Sequence, residues 1–145
     1  MISSVYTIDN EADMVALGEA LGRSLALQKS HCCIFLVGVL GAGKTTLSRG
    51  ILRAFGHKGA VKSPTYTLVE EYEFSGRRLY HFDLYRIGNP EELEYIGIRD
   101  YFTDNNICLV EWPECGEGVL PKPNGFVEIT VSEGLRQIRV EMPGV

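Results

Sequence analysis

The stretch Cys32-Cys33-Ile34-Phe35-Leu36-Val37-Gly38-Val39-Leu40-Gly41-Ala42-Gly43-Lys44-Thr45 joins an unbroken apolar run to a glycine-rich turn, a lysine and a threonine. Cys32 to Val37 lacks polar alternation, which suits a strand covered on both faces, as in a parallel sheet under helices. Gly38 to Thr45 matches GxxxxGK[ST], the spacing of a phosphate-binding loop. Glycines let the backbone bring its amides up to phosphate oxygens with no Cβ in the way. A helix beginning near Lys44 adds its positive dipole end. Lys44 then reaches β- and γ-phosphates, and the Thr45 hydroxyl is placed for Mg²⁺. The alternative, a strand-to-helix turn with no ligand, is disfavoured because strand, loop and helix follow in the order the motif requires.

Working outward, Val5 to Ile8 suits a short strand, and Asp9 or Asn10 offers a helix N-cap. Met14, Leu17, Leu21 and Leu25 recur every three or four residues, which predicts an amphipathic helix over 10–28. Lys44 to Phe55 reads as a helix that stops near Gly56, and 56–67 as a loop. Leu68 to Phe74 and Arg77 to Leu84 read as a hairpin around Ser75-Gly76. Short helices are expected from Pro90 and over 98–102. Ile107 to Val110 is a second buried strand, closed by Glu111 and Pro113. Gly125 to Val131 and Gln137 to Met142 alternate around Ser132-Glu133-Gly134 as a last hairpin. The fold expected is α/β: a P-loop NTPase-like three-layer domain over 1–145, its mixed sheet carrying antiparallel hairpins.

A phosphate loop needs a carboxylate on a neighbouring strand. Glu111 ends an apolar run in the manner of a Walker B strand, at the edge where open α/β sheets bind ligands. It suits Mg²⁺ or water positioning; an exposed strand-end glutamate is the alternative. Asp83 ends His81-Phe82-Asp83 and suits the same task, or a turn cap. Thr65 and Thr67 lie in the loop after the phosphate-loop helix, where switch segments place a γ-phosphate-sensing hydroxyl. His31, His57 and His81 show no ligand spacing and read as structural. Trp112 beside Glu111 is either core or part of a partner surface. Cys32, Cys33, Cys108 and Cys115 form no CxxC pair, so they read as small hydrophobes and one loop thiol.

The 145 residues suffice for one ordinary domain. Hydrophobic content of 45% and charged content of 23% exclude disordered and coiled-coil chains. A net charge of −5 excludes a strongly basic nucleic-acid footprint. No apolar run is long enough to span a membrane. The opening Met1-Ile2-Ser3-Ser4 has no basic head before an apolar stretch, so a cytoplasmic address is expected. Without an Asn-Lys-x-Asp guanine-reading motif, ATP is favoured over GTP. Without an arginine-rich lid, a small-molecule kinase is disfavoured.

Four segments together resemble the bacterial TsaE (YjeE) family: Gly41-Ala42-Gly43-Lys44-Thr45-Thr46, Ser63-Pro64-Thr65-Tyr66-Thr67, His81-Phe82-Asp83-Leu84-Tyr85-Arg86 and Val110-Glu111-Trp112-Pro113-Glu114. They run in the family's order over nearly the whole chain. The resemblance implies an ATPase required for threonylcarbamoyladenosine at position 37 of tRNAs reading A-starting codons, acting with TsaB and TsaD, with tRNA contacted indirectly. By position it places nucleotide phosphates on Gly41, Ala42, Gly43, Lys44, Thr45 and Thr46, and Mg²⁺ on Thr45 and Glu111. It makes Lys44, Asp83 and Glu111 the catalytic candidates, and sets Glu11 and Arg136 near the nucleotide's outer parts. Val39 departs from the family's usual Asp, which puts that acid's role in doubt but not phosphate cradling.

The leading expectation is an ATP-hydrolysing accessory protein of tRNA modification, slow alone and completed or regulated by a partner. A small-molecule kinase with Asp83 as base, or a nucleotide-dependent binding switch without turnover, are the alternatives.

Overall fold

The computed structural model describes residues 2–143. Met1, with which the opening stretch begins, lies outside them. The strands are β1 (Ile2–Ile8), β2 (Cys32–Gly38), β3 (Val69–Phe74), β4 (Arg77–Asp83), β5 (Ile107–Glu111), β6 (Gly125–Ser132) and β7 (Leu135–Met142). The helices are α1 (Glu11–Leu27), α2 (Lys44–Ala54) and the single turn α3 (Glu92–Tyr95). Two 3₁₀ turns cover Ile98–Tyr101 and Pro113–Gly116.

The strands form one mixed sheet in the order β1-β7-β6-β2-β5-β4-β3. β2 lies at its centre, parallel to both β5 and β6, and β4 is parallel to β5. Hairpins β3–β4 and β6–β7 add antiparallel pairs, and β1 closes the far edge on β7. The fold is therefore the three-layer α/β arrangement expected. Ser75-Gly76 and Glu133-Gly134 turn the two hairpins with positive φ at both residues, the geometry that matches strand twist.

Two cores flank the sheet. Cys32, Ile34, Leu36, Leu79, Ile107 and Leu109 face α1 and α2. Cys33, Phe82, Cys108 and Val110 face the other way, toward Leu93 and Ile98 of the short helical turns. Successive strand residues point to opposite faces, so adjacent Cys32 and Cys33 enter different cores. Asn10 caps α1, its Oδ1 accepting from the Asp13 amide at 2.8 Å.

α1 and α2 touch backbone to backbone. A Cβ on Gly18 would stand 2.3 Å from Leu47 O, and one on Gly50 2.2 Å from Val15 O. These glycines allow α2 to lie directly against α1. Among the described residues, no helix is long and apolar enough to cross a membrane.

Some element limits differ from the sequence expectation. Leu68 has φ +72° and closes a turn, its amide donating to Pro64 O at 2.8 Å, so β3 starts one residue later. Gly38 belongs to β2 rather than to the loop, because it pairs with Ile129.

Candidate functional site

The end of β2 delivers the chain into the glycine-rich turn at the sheet's C-terminal edge. Gly41 and Gly43 have φ of +76° and +113°, a region that costs a side-chain-bearing residue energy. Gly43 is also crowded, since a Cβ there would lie 3.0 Å from Met14 Cε. The turn opens α2 at Lys44. The parallel pairing of β4 with β5 sets Asp83 opposite Glu111, so two carboxylates end adjacent strands at that same edge.

These elements enclose a cavity of about 320 Å³. Gly41, Gly43, Lys44, Thr45 and Thr46 line it from the loop and helix. Asp83, Glu111 and Trp112 line it from the strand ends, and Ser63 and Thr65 from the long loop. The long loop is tied down by hydrogen bonds. Ser63 Oγ and Thr65 Oγ1 are 2.8 Å apart, and Thr65 Oγ1 donates to Asp83 Oδ2 at 2.9 Å. Asp83 Oδ1 accepts from the Tyr85 amide at 2.9 Å. Asp83 therefore caps a turn and anchors the threonine at once.

Lys44 is 5% exposed, and its Nζ donates to Gly38 O at 2.7 Å. Nζ also lies 3.9 Å from Glu111 Oε1 and 3.9 Å from the Trp112 ring centroid. Burial pulls the ammonium below its ordinary lysine range, while the carboxylates of Glu111, Asp83 and Glu114 oppose that shift. Glu111 is 4% exposed, so the exposed strand-end alternative is corrected: it is a buried carboxylate between a cation and a histidine. His81 Nε2 is 2.5 Å from Glu111 Oε2. The structural reading of His81 stands with one addition: its imidazole meets a carboxylate that lines the cavity.

A second cavity, of about 240 Å³, lies on the other side of the loop and shares Gly41, Gly43 and Thr46 with the first. Glu11 and Arg136 line it. Arg136 donates to Ala42 O at 2.7 Å and to Gly41 O at 3.3 Å, bracing the turn from β7. Glu11 pairs with Arg49 of α2. Ala42 is buried and takes no part in either lining.

Thr67 stands apart from both cavities, its hydroxyl donating to Glu70 Oε1 at 3.0 Å. The Trp112 segment is less exposed than a free partner surface: Trp112 is half-buried with φ +56° and Pro113 is buried. Sequence reasoning passed over Ser63 and His81. For His81 the clue is its spacing: it sits two residues before Asp83, on the strand face that Asp83 shares with Glu111.

The donor set is thin for a resident metal. Among the described residues, no group of three His, Cys, Asp or Glu could hold an ion unaided. A hydroxyl, one or two carboxylates, phosphate oxygens and water are nevertheless the ligands Mg²⁺ takes beside a nucleotide. Thr45, Glu111 and Asp83 on one cavity fit that pattern.

The family model described as "Threonylcarbamoyl adenosine biosynthesis protein TsaE" matches residues 8–139. The Haemophilus influenzae protein named tRNA threonylcarbamoyladenosine biosynthesis protein TsaE is 49% identical over 142 residues, covering 97% of this chain and 90% of that one. The Bacillus subtilis protein of that name is 40% identical over 97 residues, covering 67% of this chain and 60% of its own length. The crystal structure of Bacillus subtilis YdiB superposes with a TM-score of 0.78 at 28% identity, covering 99% of this chain and 87% of that one.

Proposed function

This chain belongs to the TsaE family of tRNA threonylcarbamoyladenosine biosynthesis, and from that membership we propose that it binds Mg-ATP in the 320 Å³ cavity and hydrolyses it slowly. The observation that carries this reading is the convergence of Lys44, Thr45, Asp83 and Glu111 on one cavity beside a positive-φ glycine turn. The loop amides and Lys44 bind the phosphates, and the buried position of Lys44 strengthens its pull on them. Thr45 and Glu111 hold Mg²⁺, which supplies charge neutralisation on the phosphate oxygens when bound. Asp83 fixes Thr65 beside the γ-phosphate position. Glu11 and Arg136 flank the outer parts of the nucleotide.

In this reading the protein is cytoplasmic and acts with TsaB and TsaD, and tRNA is reached through those partners. For the kinase alternative Asp83 would be the base; here it anchors the Thr65 hydroxyl and caps the turn at Tyr85. The test is calorimetric titration of ATP with and without Mg²⁺, followed by phosphate release in the absence of any acceptor. Mg²⁺-enhanced binding and slow release are expected. ADP formation that requires an added acceptor and releases no free phosphate selects the kinase, binding without turnover selects the switch, and no binding overturns the reading.

A further inference from the structure

We propose that His81 is a positioning residue that holds one oxygen of Glu111, so that the other alone is presented to the cavity; this rests on the reading of Glu111 as the Mg²⁺ carboxylate. His81 is fully buried in β4 and is absent from the cavity lining, so it acts only through its neighbour. Its Nε2 stands 2.5 Å from Glu111 Oε2. The other oxygen, Oε1, lies on the Lys44 side, 3.9 Å from Nζ. The two oxygens of one buried carboxylate are thus committed to different neighbours.

An ionised carboxylate only accepts hydrogen bonds, so the imidazole donates from Nε2, and in the neutral ring Nδ1 is left as a bare acceptor. Among the described residues, Nδ1 is buried and has no hydrogen-bond partner. A buried polar atom without a partner costs stability, and a leucine would fill the same space without that cost. What the imidazole adds at this place is a single directed donor to Glu111. Strand geometry keeps it there: His81 and Asp83 share a face of β4, and Asp83 is in register with Glu111 on β5. A carboxylate gripped at one oxygen cannot swing, and its free oxygen meets a cation from a fixed direction.

The test is a Mg²⁺ titration of the binding of a non-hydrolysable ATP analogue, with thermal melts to check folding. His81→Leu removes the donor. His81→Asn keeps a polar group at the near nitrogen but falls short of Glu111, whereas His81→Gln spans the distance. The Leu and Asn variants should need about 10- to 100-fold more Mg²⁺ for half-maximal binding, with Mg²⁺-free binding unchanged and Gln restoring most of the loss. In a Glu111→Ala background, His81→Leu should add nothing further. Unchanged Mg²⁺ dependence in folded Leu or Asn variants overturns the proposal. So does a Gln variant as poor as Asn, or a His81→Leu defect that persists without Glu111, since either marks a packing role. If Leu fails to fold, the Asn and Gln pair decides. Failure of the nucleotide reading itself shows differently, as wild-type protein that binds no analogue at any Mg²⁺ concentration.

Discussion

The Lys44 ammonium sits 3.9 Å from the centroid of the Trp112 ring, which in turn packs 4.8 Å from Tyr85. A desolvated cation over an indole face is worth about 2 kcal/mol. Lys44 is thereby linked to the segment 112–116, whose Glu114 reaches the surface. A nucleotide that draws Lys44 toward its phosphates changes what Trp112 rests on. ATP and ADP states should therefore bind a TsaB–TsaD assembly with different affinities, as coupling requires. The check is the dissociation constant with ADP and with a non-hydrolysable ATP analogue, for wild type and Trp112→Ala. A nucleotide-dependent difference that shrinks in the variant is expected. Equal affinities throughout would remove the link.

Lys44 and Glu111 should separate binding from turnover. Lys44→Ala removes the buried cation of the proposed phosphate site and should weaken ATP binding about 10-fold or more, with circular dichroism near normal. Glu111→Ala leaves the loop amides in place, so it should depress single-turnover hydrolysis more than equilibrium binding. A Glu111→Ala protein hydrolysing at the wild-type rate would take that carboxylate out of the site.

Gly50→Ala tests the helix contact beneath the loop. The added Cβ would lie 2.2 Å from Val15 O, a backbone atom that cannot move aside without shifting α1. Overpacking of this kind costs about 1–3 kcal/mol or more. Urea unfolding should show a lowered midpoint. Gly76→Ala, where a Cβ meets nothing within 4 Å and only the φ of +80° is strained, should cost less. The reverse ranking would mean that α1 and α2 do not pack as described.

The thiols predict an alkaline limit to stability. Burial pushes the Cys32 thiol up to about 11 and Cys33 to about 12, and raises Cys108 as well. The folded chain keeps these protons while the unfolded chain loses them near 9.0. The unfolded state then binds fewer protons, so stability falls as pH rises from about 9 towards 11, at up to about 1.4 kcal/mol per pH unit for each thiol. Urea midpoints at pH 7.5 and 10 check this. In native protein at neutral pH, iodoacetamide should modify half-buried Cys115 and spare the other three.

The strand-loop-helix unit was legible because the buried run, the glycines and Lys44-Thr45 each follow a local rule. Glu111 and Asp83 were legible as strand-end acids, but their pairing needed the parallel β4–β5 register, which no short-range pattern encodes. The spacing of His81 puts it on the face of Asp83, but its contact with Glu111, 30 residues away, forms only through sheet topology. Thr67 illustrates the opposite case. It shares the loop of Thr65 that suggested a switch hydroxyl, yet beside the turn closed by Leu68 its own hydroxyl meets Glu70. The Gly18–Gly50 contact was hidden because two glycines in separate helices look merely like weak helix formers.

The most direct measurement is reconstitution of threonylcarbamoyladenosine on tRNA from TsaB, TsaD and the threonylcarbamoyl donor, with this protein and ATP, without the protein, and with Lys44→Ala. Sustained multiple-turnover modification is expected only with wild-type protein and hydrolysable ATP. Equal modification without the protein, or with Lys44→Ala in its place, would contradict an ATP-driven role in that synthesis.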